Sequence, residues 1–344
     1  KYKIFNQNRS WIKFILSLLW LLPFIQLIIL NGASDHWSHL ETKLSLLLFP
    51  IFLLIGVDIK KEFIYDLLKF FIIGCCISII ICLLNASYNF FILEKNNSFY
   101  YKNISIFHHP SYFSMYLNFA IGLLYLNLVS PISKHKIKNK WSWILIISFT
   151  VFIVLVSSRT GWISNFLINS IFIIVLIKRK FFHKRHLLLG LVILLTIGGL
   201  VNFSPSLKNR FNEIIKHTVY AKQQSNYPSS TSTRIKAWES AAELIQKNWL
   251  FGLGSGIGSV ELNKVYEAKG YLSMKEKNTN THNQYLQYLL DHGVVGLIFL
   301  VFFTIIMFFN SFKDKYYLYA LFLIIMMINF MTESMLETQS GIVF

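Results

Sequence analysis

Phe70-Phe71-Ile72-Ile73-Gly74-Cys75-Cys76-Ile77-Ser78-Ile79-Ile80-Ile81-Cys82-Leu83-Leu84 is an uncharged and almost wholly apolar run. With the residues before it, it forms one stretch over 64–84 that carries charge only at Asp66 and Lys69, near one end. A helix rises 1.5 Å per residue, so about 20 such residues cross a hydrocarbon layer of about 30 Å. By that ruler the chain holds nine apolar runs, at about 11–30, 44–57, 64–84, 111–130, 141–157, 161–177, 187–203, 292–309 and 316–332. The expected fold is an all-α polytopic integral membrane protein with about nine transmembrane helices.

Composition agrees. Of 344 residues 54% are apolar and 14% charged, whereas a soluble domain is about 45–50% apolar and about 25% charged. The 32 Phe and only 6 Pro exclude disordered and collagen-like chains, which need the opposite balance. The net charge of +17 does not mark a nucleic-acid binder, because its Lys and Arg punctuate apolar runs instead of covering one face. Cys75, Cys76 and Cys82 all sit in one run, too far apart around a helix for a disulfide or zinc site, and read as small apolar fillers.

Those basic residues orient the chain. With the N-terminus in the cytoplasm, the inner segments carry Lys1, Lys3, Arg9, Lys13, Lys60, Lys61, four lysines in 131–140, five basic residues in 178–185, and Lys313 and Lys315. That is seventeen, against four in the short outer segments: Lys43, Lys95, Lys102 and Arg159. The expected division is then transmembrane helices in 1–203, an outward-facing helical loop in 204–291, and further transmembrane helices in 292–344. Within the loop, Ile235, Trp238, Ala242, Ile245 and Trp249 recur at helical spacing, with Ser232 or Thr233 as N-cap and Gly252 as the stop. A second stretch, 207–223, places Phe211, Ile214, Ile215 and Val219 on one face. Both helices are expected along the outer membrane boundary.

Three outer residues are chemically suggestive. Arg159 lies in Ser157-Ser158-Arg159-Thr160-Gly161, a short turn between two spans; it is either a snorkelling interfacial cation or an anion clamp. Arg234 falls in the expected first turn of the amphipathic helix. A cation is locally unfavourable there, while the N–H groups and a guanidinium fork together suit phosphate. Its alternative is a solvated surface charge. His282 lies in Asn280-Thr281-His282-Asn283-Gln284-Tyr285, where Thr281 and Gln284 have capping-box spacing, so it is expected in the first turn of a helix leading into the eighth span. Histidine suits proton transfer near neutral pH, although a capping role would also place it there.

The glycine-rich 252–258 segment matches neither dinucleotide nor P-loop spacing and reads as a tight packing turn. His108-His109-Pro110 opens the fourth span, and Glu333 and Glu337 would share a helical face if the ninth helix continued past its span. The chain lacks an Asp-x-Asp pair, a His-Glu-x-x-His sequence and a Walker sequence. No metal and no cofactor are expected. A transporter should carry polar groups through the membrane depth; here they read as confined to the outer rim.

Five segments, in order, resemble bacterial O-antigen ligase and O-antigen polymerase-like proteins. They are His109-Pro110-Ser111-Tyr112-Phe113-Ser114-Met115-Tyr116, Ser157-Ser158-Arg159-Thr160-Gly161, Arg234 and Trp238 with 248–256, Thr281-His282-Asn283-Gln284-Tyr285, and Thr332-Glu333-Ser334. The resemblance implies a glycosyltransferase-C-like fold of about twelve spans, each of about 20 residues. With nine here and no initiator Met, it also implies further helices at both ends. It implies a multi-pass protein of the bacterial inner membrane with a periplasmic site and no metal. The implied donor is an undecaprenyl-diphosphate-linked glycan, and the acceptor a hydroxyl of the lipid A core, another lipid-linked glycan, or a protein. By the same resemblance, Arg159, Arg234 and His282 are the catalytic residues, His282 as general base for an inverting transfer. His109, Asn283, Gln284 and Glu333 join the two arginines in binding substrate.

Overall fold

The computed structural model describes residues 24–25, 41–54, 61–129, 137–178 and 230–344. Five helices there are long and apolar enough to cross a membrane: Phe63–Phe91, Pro110–Val129, Asn139–Val156, Arg159–Lys178 and Gln284–Lys313. A shorter apolar helix, Tyr317–Phe330, follows. The described residues contain no strand. This is a polytopic helical membrane protein. Of the remaining expected spans, 44–57 is a helix over Leu44–Leu54. The span at 187–203 and the amphipathic stretch at 207–223 lie outside the described residues, as does all of 11–30 except Phe24 and Ile25.

The chain divides into two compact units, one of Lys1–Asp58 with Gln224–Phe344, the other Ile59–Gln223. In the second unit, Lys61–Phe91 buries a narrow edge through Ile72, Cys75, Cys82 and Ala86 and exposes Phe70, Ile77, Ile80 and Leu84. The two buried cysteines fill small gaps, as expected. Pro110–Val129 is the unit's central helix and is buried along most of its length. It opens on Pro110, which suits a first helical position because its missing N–H would go unbonded there anyway.

Two residues, and not the whole 157–161 turn expected, join the next two helices. Asn139–Val156 ends on Ser157 in the left-handed conformation (φ 54°), its N–H donating to the Ile153 and Val154 carbonyls. Ser158 then caps the following helix, its hydroxyl accepting from the Gly161 N–H at 3.1 Å. Arg159 is therefore the first residue of Arg159–Lys178. That helix lies against the central one: a Cβ on Gly161 would sit 2.4 Å from the Ser114 hydroxyl, and the Asn118 amide donates to the Gly161 carbonyl at 3.0 Å.

In the first unit, Ser230–Lys247, Ile257–Ala268 and Leu272–Glu276 pack on the start of Gln284–Lys313. Their core is Ala237, Ala241, Leu244, Leu262, Tyr266, Met274 and Leu290. Burial pushes the Tyr266 hydroxyl well above its ordinary pKa, and it donates to the Thr279 carbonyl at 3.1 Å. The amphipathic helix starts at Ser230 and stops at Lys247, so Ser232 and Thr233 lie inside its first turn and Gly252 lies beyond its end. Its packed face is Ala237, Ala241 and Leu244. The expected stripe is a neighbouring one, with Trp238, Ala242 and Trp249 exposed. Bulk misled the reading: small alanines let helices approach closely, and the tryptophans stay outside.

Gln284–Lys313 is broken at Gly293, whose φ 64° and ψ −168° are non-helical. A break inside an apolar helix strands backbone groups that lipid cannot satisfy. Residues 249–254 supply the partners. Leu253 and Gly254 N–H groups donate to the Leu290 and Asp291 carbonyls at 2.9 and 2.8 Å, and the Val294 N–H donates to the Trp249 carbonyl at 2.8 Å. The 252–258 segment is thus a packing turn, as its composition suggested. The break also turns residues 284–292 so that the Tyr285 hydroxyl reaches the Met327 carbonyl at 3.3 Å, in the last turn of Tyr317–Phe330.

Gly293→Ala should therefore destabilise the protein severely. The new Cβ would lie 2.2 Å from the Leu250 carbonyl oxygen, and the backbone conformation itself costs a non-glycine residue about 1–3 kcal/mol. Gly74→Ala is the control, since nothing lies within 4 Å of its Cβ. Thermal unfolding in detergent should show a large loss for the first and none for the second.

Candidate functional site

The break at Gly293 places the segment before Gln284 beside the chain that leaves Tyr317–Phe330, and the two together build the site. That second segment does not continue as an α-helix: Phe330 ends the helix and a 3-10 turn follows over Met335–Glu337. Glu333 and Glu337, expected on one face, are accordingly separated and take different partners.

Glu333 is nearly buried and holds two groups with one carboxylate. Its Oε1 accepts from Arg234 Nη2 at 2.9 Å, and its Oε2 lies 3.2 Å from His282 Nδ1. Arg234 and His282 keep 20% and 33% of their side-chain surface exposed against 5% for Glu333, so the cluster is open on the cation side and closed behind. Arg234 lies past the first turn of its helix. Glu333, and not the helix N-terminus, accounts for a cation at that position.

His282 precedes the helix instead of opening it. Its backbone is left-handed (φ 48°) and is pinned by the Asn280 side-chain oxygen, which accepts from the His282 N–H at 3.0 Å. The N-cap is Asn283, whose side-chain oxygen accepts from the Leu286 N–H at 3.0 Å. The Asn283 amide also donates to the Met331 carbonyl at 3.2 Å. The Thr281–Gln284 capping box therefore does not form. Gln284 is fully buried, and its oxygen accepts from the Leu336 N–H at 2.6 Å. It ties the two segments together and has no surface for a substrate.

Behind His282 lies a polar layer. The Thr281 hydroxyl is 3.1 Å from Gln287 Oε1 and 3.3 Å from the Ser334 hydroxyl. Gln287 donates to Asp291 at 2.9 Å, and the Trp238 indole N–H donates to the Thr281 carbonyl at 2.8 Å. The loop bearing His282 is thereby fixed from three elements. Lys43, counted above among outer loop charges, is 2% exposed, pairs with Glu337 at 2.8 Å and donates to Ser255 at 3.1 Å. No spacing in the sequence pointed to that long-range pair.

The other two predicted residues belong to the second unit. Arg159 is half-buried at the start of its helix. His109 precedes Pro110, its carbonyl accepting from the Tyr112 and Phe113 N–H groups and its ring set edge-on to Tyr101 and Tyr112. Gly161 lies against Ser114, Asn165 against Asn118 and Asn169 against Tyr125, so these two helices run parallel and Arg159 and His109 share one end of the unit.

The same unit corrects the reading that polar groups stay at the outer rim. Asn165 donates to Asn118 at 3.1 Å, Asn169 to Asn165 at 2.9 Å, and Tyr125 to Asn169 at 2.6 Å. This ladder runs inward from Gly161 along the helix interface. Its members are neutral and bond one another, which suits helix-to-helix adhesion in lipid. Asn165 and Asn169, four apart within an apolar run, were the signal that could have found it.

The helices and this cluster together define a multi-pass helical membrane protein with a carboxylate-bridged Arg–His site. Residues 143–301 match the family model described as O-Antigen ligase, and over that stretch the resemblance carried by the ordered motifs is borne out. An uncharacterized protein of Haemophilus influenzae is 27% identical over 192 residues, 54% of this chain and 47% of the relative. The chain thus matches about half the length of that curated relative.

Proposed function

We propose that the chain transfers a glycan from an undecaprenyl-diphosphate-linked donor to an acceptor hydroxyl at the periplasmic face of the bacterial inner membrane, as an O-antigen ligase with lipid A core as acceptor. The observation that carries the reading is the single carboxylate of Glu333 shared by His282 and Arg234. A carboxylate on Nδ1 holds the imidazole in the tautomer whose Nε2 is a free acceptor, and stabilises the imidazolium once a proton arrives.

His282 Nε2 takes the acceptor hydroxyl's proton as that oxygen forms its bond to the anomeric carbon. The bond from this carbon to the diphosphate oxygen breaks with its electron pair, and the diphosphate leaves as an anion. Attack from the opposite face inverts the anomeric centre. Arg234, approached by the donor, exchanges part of its contact with Glu333 for the diphosphate. Charged forks of this kind stabilise developing phosphate charge. Asn283, beside His282, completes substrate binding in this reading.

The test is transfer by protein reconstituted in a bilayer with a lipid-linked glycan and lipid A core. Transfer should survive EDTA, since in this reading the Arg234 guanidinium does for the leaving group what a metal would otherwise do. A rate that collapses in EDTA and returns only with magnesium or manganese would sink this arginine mechanism. Glycan joined to glycan, and none to lipid A core, would replace the ligase assignment with a polymerase.

A further inference from the structure

The turn after the amphipathic helix leaves three large apolar side chains uncovered: Trp249, Leu250 and Phe251 are 58%, 38% and 67% exposed. Their position is fixed, because the Val294 and Val295 N–H groups donate to the Trp249 and Leu250 carbonyls at 2.8 and 3.4 Å. The turn therefore cannot lift away from the helix that begins beyond Gly293. That helix exposes Val295, Ile298, Phe302, Ile305 and Phe309. Steps of three and four place these on one face, an apolar stripe that starts under the turn and runs on toward Lys313.

Length identifies what covers the turn. From Val294 to Lys313 a helix rises about 28 Å, close to the roughly 30 Å of a bilayer's hydrocarbon core. Lys313 and Lys315 mark one boundary, so the turn stands at the other, where Trp side chains are enriched. Gln246 and Lys247 just before it are polar and exposed, as expected for chain rising out of the lipid.

We propose that Trp249-Leu250-Phe251 is an interfacial anchor, seated in the headgroup–acyl boundary of the leaflet opposite Lys313 and Lys315. Through the Ser230–Lys247 helix, whose other end carries Arg234, it holds the first unit at a set height against the membrane. This inference stands on the exposed side chains and the span length, independently of any glycan chemistry.

The experiment uses the full chain with Cys75, Cys76 and Cys82 replaced by alanine and one new cysteine carrying a nitroxide, in phospholipid nanodiscs. Phe251→Cys should collide several-fold more often with oxygen, which partitions into lipid, than with a water-soluble nickel chelate. Gln246→Cys should show the reverse. Trp249→Cys reports the same depth if Phe251→Cys folds poorly. A label at 251 that meets the nickel chelate as freely as at 246 overturns the proposal. One shielded from both reagents also overturns it, since the turn would then be covered by protein, a second copy included.

Discussion

His282→Gln should bind the lipid-linked donor about as well as the unaltered protein and transfer glycan at about one hundredth of its rate or less, the span expected for a lost general base. Gln keeps a hydrogen-bonding group near Glu333 Oε2, now 3.2 Å from Nδ1, but cannot accept a proton. The competing explanation is backbone damage, because His282 has φ 48°. His282→Asn separates the two, since asparagine tolerates the left-handed region better than most residues. If both variants bind donor and neither turns over, loss of the base explains the result. If His282→Asn transfers at a near-normal rate, the ring serves only to position its loop, and the proton acceptor lies elsewhere. The measurement is single-turnover transfer beside a separate donor-binding titration, which keeps chemistry and binding apart.

The parts of the fold that were legible in sequence are those governed by length and polarity over a whole element. Apolar runs at 111–130, 141–157 and 161–177 became Pro110–Val129, Asn139–Val156 and Arg159–Lys178, because crossing a bilayer leaves little choice of structure. Periodicity failed where packing chose the small face: Ala237 and Ala241 are buried while Trp238 is not. Capping rules failed at 281–284, where two offset caps were equally compatible with local sequence. Asn283 is the N-cap because Thr281 and Gln284 are claimed by Gln287, Ser334 and Leu336. Those partners lie as far as 53 residues away in sequence, so no local pattern reports them.

The candidate site was legible in its members but not in its wiring. Arg234, His282 and Glu333 were all singled out from ordered motifs, yet Glu333 looked like a substrate contact or the partner of Glu337. The structure assigns its two oxygens to Arg234 and His282, contacts that close 99 and 51 residues of chain. A charge in a motif says what it can hold; only the fold says which of the available cations reaches it.

That sharing leads to the second large effect, in which two substitutions at one ion pair act in opposite directions on the donor. In the proposed reaction the diphosphate competes with Glu333 for Arg234. Glu333→Gln removes the competing charge, so donor KM should fall or hold steady. Without the carboxylate, the imidazolium formed on His282 loses its stabilising partner, and kcat should fall about a hundred- to thousandfold, the loss seen for one preorganised charge-assisted contact. Arg234→Lys keeps the charge but not the fork, which a lysine cannot reproduce at a bidentate site. It should lower kcat by a similar factor and raise donor KM as well. Steady-state kinetics with donor varied at saturating acceptor separates the cases, because binding losses appear in KM and transition-state losses in kcat. If Glu333→Gln instead raises donor KM in step with Arg234→Lys, the carboxylate supports donor binding and does not compete with it. The ion pair between them at 2.9 Å would then be a fixed part of the donor site, and the exchange step would have to be abandoned.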